Sequence, residues 1–250
     1  MNVTVLRVES IIDGESIVIH PVLLQRGQSS YLVDCGYAGG FEALEHALLE
    51  AGTCVEDIRG VILTHDDYDH LGGMRWLKDR NPALQLYCGE HERDAVSGRV
   101  KSERLLQAES LLASMPEESK DWARGFIRML ESVHRFEPGH AFTDQEIFEQ
   151  DITILHTPGH TRGHISLYIA SQSTLIAGDA LVIEDGAFDI ANPAFTLHMD
   201  AALRSVRRIR QLQPRRIICY HGGIMDEQVD ERLRELIERY SEDRPPAEVL

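Results

Sequence analysis

The sequence predicts an α/β fold, and three observations carry that prediction. Short runs of branched and aromatic residues alternate with segments whose apolar residues recur at helical spacing, the pattern of strands and helices taken in turn. Four apolar runs then end in histidine or aspartate. Val61-Ile62-Leu63 leads to Thr64 and His65, Ile154-Leu155 to Thr157-Pro158-Gly159-His160, Leu175-Ile176-Ala177 to Gly178-Asp179, and Ile217-Ile218-Cys219-Tyr220 to His221-Gly222-Gly223. Strand C-termini are where α/β folds gather their sites. Finally, residues 64–73 read THDDYDHLGG and pack His65, Asp67, Asp69 and His70 into six positions. Such a cluster is costly to hold together unless cations neutralise it.

The elements follow in order. Val3, Val5 and Val8 begin a first strand, Ile17-Val18-Ile19 and Val22-Leu23-Leu24 suggest another, and Tyr31-Leu32-Val33 ends at the turn Asp34-Cys35-Gly36. Phe41, Leu44, Ala47, Leu48 and Ala51 recur at helical spacing, and Gly52 stops that helix. Residues 58–63 form the strand that feeds the cluster. A helix is expected to start near Leu71 and to break at Asn81-Pro82, before a strand over residues 84–88.

Residues 90–132 differ in character. Leu105, Ala108, Leu111, Leu112 and Met115 lie on one helical face; after Pro116, Trp122, Phe126, Met129, Leu130 and Val133 lie on another. This predicts a helical hairpin inserted among strands. Strands resume over residues 152–155, 165–169 and 174–177. A helix follows over 200–212, a strand over 217–220, and a last helix carries Val229, Leu233, Leu236, Ile237 and Tyr240. Residues 242–250 read as a loose end. No repeat, low-complexity segment or linker interrupts the chain, so residues 1–250 are read as a single domain.

Composition narrows the functional classes. At 250 residues with 43% hydrophobic content the chain can bury a sizeable core. A formal charge of −16 argues against a general affinity for nucleic acid or anionic membrane. No apolar stretch approaches the length of a bilayer span, and the opening MNVTVLRVES lacks the pattern of a signal peptide. Cys35, Cys54, Cys88 and Cys219 show no CxxC spacing and read as reduced thiols. The expectation is a cytoplasmic protein acting on a small molecule, with neither nucleic acid nor membrane as partner.

Side chains at i and i+2 of an extended segment point the same way, so His65 and Asp67 would face one metal together. Asp69 and His70 come as the chain turns into a helix and can face a second. Gly72 and Gly73 permit tight packing of that turn.

With these residues in place, the chain resembles the metallo-β-lactamase superfamily. THDDYDHLGG is similar to its THxHxDHxGG motif, and TPGHTRGH, GD and HGG match its later motifs in order. The resemblance spans nearly the whole chain. It implies a four-layer αββα sandwich, here with the inserted helical hairpin, and a two-metal site at one edge. It further implies that His65, Asp67 and His160 hold one divalent ion, that Asp69, His70 and His221 hold the other, and that Asp179 bridges them. A hydroxide between the ions would be the nucleophile, and Asp69 would steer it or pass a proton to the leaving group.

One position departs from the pattern. The family normally has histidine where this chain has Asp67, although flavodiiron members carry a carboxylate there. Two divalent ions bring four positive charges; Asp67, Asp69, Asp179 and a hydroxide bring four negative ones, whereas the usual set leaves one positive charge over. The ligands alone thus predict a less electrophilic site, with zinc as the default metal and manganese or iron as alternatives that suit oxygen donors.

The resemblance points to esters, thioesters, lactones and amides as substrates. Lactonases of the acylhomoserine type carry a tyrosine three residues after the bridging aspartate, where this chain has Val182; glyoxalase II carries a further helical domain that this chain is too short to include. Trp122, Phe126 and Met129 are candidates to line an acyl pocket, and their stripe equally serves as packing or as a homodimer contact. His198 is a candidate for the pocket mouth, though helix initiation near Asp200 explains its segment as well. His164 is expected to support the site by a hydrogen bond rather than to ligate. His156 and Asp34 read as structural, and Arg204, Arg207, Arg208, Arg210, Arg215 and Arg216 as a solvated helix face. His20, His46, His91, His134 and His140 stand in no ligand-type motif of the sequence and are read as ordinary. Three other functions stay open beside ester-type hydrolysis: iron-dependent redox chemistry on the same fold, phosphodiester cleavage as in nucleases of the superfamily, and ligand binding or regulation without useful turnover.

Overall fold

The structure is a computed structural model describing residues 1–12, 14–192 and 195–242. It divides into two compact units, Met1–Thr143 and Asp144–Leu250. The loose end expected from residue 242 lies, from residue 243 on, outside the described residues.

The first unit opens with five strands: β1 (Asn2–Val5), β2 (Val8–Ile12), β3 (Glu15–Ile19), β4 (Val22–Arg26) and β5 (Ser29–Val33). The sequence pattern suggests fewer, because the breaks are short. Leu6-Arg7 separates β1 from β2, and His20-Pro21 separates β3 from β4. Proline donates no ladder hydrogen bond, and here its carbonyl takes the Leu6 N–H at 2.9 Å. β2 and β3 then pair with each other, while β1 and β4 join the main sheet. Helix α1 (Phe41–Glu50) follows, then β6 (Ile58–Ile62), the short α2 (Tyr68–Leu71), α3 (Met74–Arg80) and β7 (Gln85–Gly89). The six-stranded sheet runs β1-β4-β5-β6-β7 and ends on β8 (His140–Phe142), which is parallel to β7. From β5 to β8 the pairing is parallel. Val61 and Ile62 are fully buried, as central parallel strands require.

The insertion comprises α4 (Arg93–Val96), α5 (Glu103–Leu112) and α6 (Glu117–Ser132). Ser102 caps α5 by accepting the Leu105 N–H at 3.1 Å. The predicted apolar faces are only partly covered: Leu105, Leu130 and Val133 are buried, while Trp122 is 62% exposed.

The second unit carries β9 (Ile147–Phe148), β10 (Ile152–His156), β11 (Ile165–Ile169), β12 (Thr174–Gly178), β13 (Val182–Glu184), β14 (Ala187–Asp189), α7 (Met199–Gln211), β15 (Arg216–Cys219), β16 (Gly223–Met225) and α8 (Val229–Glu242). Its sheet runs β16-β15-β12-β11-β10-β9, with only β12 and β15 parallel. Leu175, Ile217, Leu203, Val206, Ile209, Leu233 and Leu236 share one core, so α7 and α8 bury their apolar stripes on this sheet. The β13–β14 hairpin turns through Asp185 and Gly186, both at positive φ. That Asp-Gly pair is a hairpin signal in its own right.

All four cysteines are free thiols. Burial pushes Cys88 up to about 12, and burial followed by the nearby Asp179 charge raises Cys219 well above its ordinary value. Among the described residues no helix is long and apolar enough to cross a membrane.

Candidate metal centre

The motif starts where β6 lets go of the sheet. The Leu63 N–H still donates to the Tyr87 carbonyl at 2.9 Å, and the next residues leave the ladder. His65 and His70 are fully buried, and Asp67 and Asp69 are 6% and 8% exposed. His65 Nε2 stands 3.6 Å from Asp67 Oδ2, and His70 Nε2 stands 3.6 Å from Asp69 Oδ2. The two imidazole centroids are 4.0 Å apart. These separations are long for hydrogen bonds. Two donors each about 2.1 Å from one tetrahedral ion lie roughly 3.4 Å apart, so both pairs fit a shared cation. In place of one helix from near Leu71 the chain forms two, from Tyr68 and from Met74; Asp67 stands at the N-cap position of the first, and Asp69 and His70 project from its first turn.

Asp34 sets the protonation of both imidazoles. It sits at φ 58°, where its carboxylate turns back toward the motif. Oδ1 accepts the Thr64 N–H at 2.8 Å, and Oδ2 accepts the Thr64 hydroxyl at 2.9 Å. Because the Thr64 hydrogen is used there, its oxygen accepts from His65 Nδ1 at 3.0 Å. Asp34 Oδ2 also lies 2.9 Å from His70 Nδ1. Both Nδ1 atoms are thus protonated, and both Nε2 atoms carry the lone pair that a metal needs. Asn at position 34 would turn an N–H toward either Thr64 N–H or His70 Nδ1–H. We expect Asp34→Asn to weaken zinc binding by about 10–100-fold, measured by competition with a chromophoric chelator. Affinity within twofold of the parent would contradict this role.

An aspartate at an N-cap usually caps its own helix, yet the Asp67 side chain makes no such bond. It meets Arg104 of α5 instead, whose Nε and Nη2 donate to Oδ2 at 3.2 and 2.9 Å. Neighbouring Asp66, 1% exposed, accepts from Arg135 Nη1 at 2.6 Å. Burial raises the Asp66 carboxyl above its ordinary value, and the Arg135 charge opposes that rise.

In the second unit three strand ends supply His160, Asp179 and His221, after β10, β12 and β15. Asp179 Oδ2 stands 3.6 Å from His160 Nε2 and 3.6 Å from His221 Nε2. One carboxylate oxygen thus faces two imidazoles, as a shared donor does. His164 lies under this group. Its Nε2 accepts the Asp179 N–H at 3.0 Å, so its Nδ1 carries the proton and donates to Thr157 Oγ1 at 2.9 Å. With both ring nitrogens engaged inside the chain, His164 positions the Asp179 backbone.

The remaining predicted residues are placed as follows. Val182 is buried at the start of β13. His198 caps α7, with its N–H on the Gly159 carbonyl at 2.9 Å, and lines a surface pocket with His156, Arg162 and Arg204. His156 Nε2 donates to the Arg162 carbonyl at 3.0 Å. Trp122 stacks on Phe126, which meets the edge of Tyr68 within the motif. Arg208 Nη2 donates to both carboxylate oxygens of Asp144, and Arg210 forms a bidentate pair with Asp230. Arg104 and Arg135 were not legible as motif partners; no spacing announces them. Asp34 was visible only as a turn residue, with its strand-end position as the available hint.

Comparison with known proteins bears on this arrangement. A sequence profile of the metallo-β-lactamase superfamily matches residues 18–221. The chain is 21% identical to a probable metallo-hydrolase, YybB, of Bacillus subtilis over 207 residues, covering 82% of this chain and 81% of that one. It is 22% identical to a hydroxyacylglutathione hydrolase of Xanthomonas campestris, covering 80% and 67%. Among solved structures, the metallo-β-lactamase family protein TTHA1429 of Thermus thermophilus superimposes with a TM-score of 0.74 at 26% identity, covering 96% of this chain and 79% of that one.

Proposed function

The chain belongs to the metallo-β-lactamase superfamily and has its α/β fold, and from that premise we propose that it is a dinuclear metal-dependent hydrolase of esters, thioesters or lactones. One observation carries the reading furthest: Asp179 Oδ2 is equally spaced, at 3.6 Å, from two imidazole nitrogens. A single carboxylate so placed serves two cations. In this reading His65, Asp67 and His160 hold one ion, Asp69, His70 and His221 the other, and Asp179 belongs to both. When bound, zinc, manganese or iron supplies a Lewis acid for the scissile carbonyl and a hydroxide at neutral pH.

The protein's own groups do the rest. Asp34 keeps Nδ1 of His65 and His70 protonated, which fixes their donor atoms. His164 holds the Asp179 backbone N–H. Asp69, slightly exposed beside His70, is the group that accepts a proton and delivers it to the leaving atom. Val182 offers only an apolar side chain where lactonases of the acylhomoserine type have a hydroxyl, and one relative is named a hydroxyacylglutathione hydrolase, so thioesters are the first substrates to try.

The test is a hydrolysis screen on protein stripped of metal and reloaded with zinc, manganese or iron. Cleavage of thioesters, lactones or aryl esters, lost on chelation and regained on reloading, is the expected result. Cleavage confined to phosphodiesters, or oxygen uptake by the iron form without hydrolysis, would overturn the assignment.

A further inference from the structure

Three consecutive motif residues are each held by a side chain of the insertion or of the segment just after it. Asp66 is bound by Arg135, Asp67 by Arg104, and Tyr68 by the ring of Phe126 at 6.1 Å. The middle contact falls on the one ligand position where this chain departs from its family. Arg104 is 2% exposed, deep for so polar a side chain. It places two N–H groups on one oxygen of Asp67 and a third on Gln107 Oε1 at 2.8 Å. The start of α5 is fixed by the Ser102 cap, so the guanidinium is delivered to a set position.

We infer that Asp67 and Arg104 act together as one charge-neutral donor, taking the place of the neutral imidazole usual in the family. Asp67 supplies the oxygen ligand and Arg104 cancels the charge that histidine would not have brought. The insertion is then the source of a counter-ion for the metal loop, and the carboxylate and the helical hairpin belong to one device. Counting Arg104 also returns the site to one net positive charge, so an aspartate at position 67 does not make it less electrophilic. This inference rests on the two-ion reading proposed above.

The test reads divalent-ion affinity, using zinc and manganese alone as probes, together with the rise in Tm on adding each ion to stripped protein. Four proteins are compared: the parent, Arg104→Met, Asp67→His, and the double variant. Arg104→Met leaves Asp67 uncompensated and should tighten ion binding by about tenfold or more, even if attraction is screened as in water. Asp67→His leaves Arg104 beside the ions without its carboxylate and should weaken binding by a similar factor. In the double variant the two changes should cancel to within about threefold of the parent.

A purely structural role for Arg104 predicts otherwise: both single variants bind more weakly and the double variant is no better. That pattern, or an Arg104→Met chain with unchanged affinity, would overturn the inference. If Arg104→Met does not fold, Asp67→His against the double variant decides alone, since removal of Arg104 must then restore binding. A parent protein that takes up no divalent ion would defeat the two-ion reading itself, whereas parent binding without opposed effects in the variants defeats only the role given to Arg104.

Discussion

Replacing Asp179 by alanine is expected to lower kcat/KM for any hydrolysed substrate by at least about a thousandfold while the chain stays folded. Its Oδ2 stands 3.6 Å from both His160 Nε2 and His221 Nε2, and alanine leaves no oxygen at that point. The backbone would tolerate the change. Its N–H keeps His164 Nε2 as acceptor, and the Thr157 and Ser166 hydroxyls continue that network to the Ala177 carbonyl. Steady-state kinetics with circular dichroism on the same preparation would check both halves. Activity within about tenfold of the parent would contradict the shared-donor role.

The second large effect concerns stability. Gly73→Ala should cost at least about 3 kcal/mol and lower Tm by roughly 6–12 °C for a chain of this size. A Cβ there would overlap the Cys35 carbonyl oxygen, and one at Gly72 would overlap Ala38 N and Tyr68 O. The approach is backbone to backbone: Gly73 N–H donates to the Gly36 carbonyl at 3.0 Å, and Cys35 N–H to the His70 carbonyl at 2.7 Å. These contacts tie the turn that carries Asp34 to the helix that carries Asp69 and His70, so the substitution disturbs the ligands along with the fold. Gly125→Ala in α6 is the control. Its Cβ would meet only the Arg128 guanidinium at 3.8 Å, and better helix propensity should raise stability by about 0.5–1 kcal/mol. Thermal denaturation of both variants separates them; equal and small shifts would show that the 35–38 turn can yield.

How much could be read in advance follows from the range of each interaction. His65, Asp67, Asp69, His70, His160, Asp179 and His221 stand at or just after strand ends, and a strand end is a local pattern. The helical hairpin over α5 and α6 was legible from spacing for the same reason. Arg104 was not, because its partner lies 37 positions away, and an arginine in an amphipathic helix looks like any solvated charge until its burial is known. Arg135 meets Asp66 across 69 positions. Asp34 reaches Thr64 across 30, and its acceptor role depends on a left-handed backbone that no neighbour dictates. Short strands suffered as well. β8 and β9 have three and two residues, too few for a period to show. In the role inferred for Arg104, its cation adds a charge to the count made from the ligands, and no motif records it.

The central claim is that histidines and aspartates from four separate strand ends hold a pair of divalent ions. Elemental analysis of protein purified from metal-supplemented medium and dialysed free of excess ion tests it most directly. Two tightly held ions per chain are predicted, with Asp179→Ala retaining fewer than one. A parent protein that emerges folded with no stoichiometric metal, or an Asp179→Ala variant that still holds two, would contradict it.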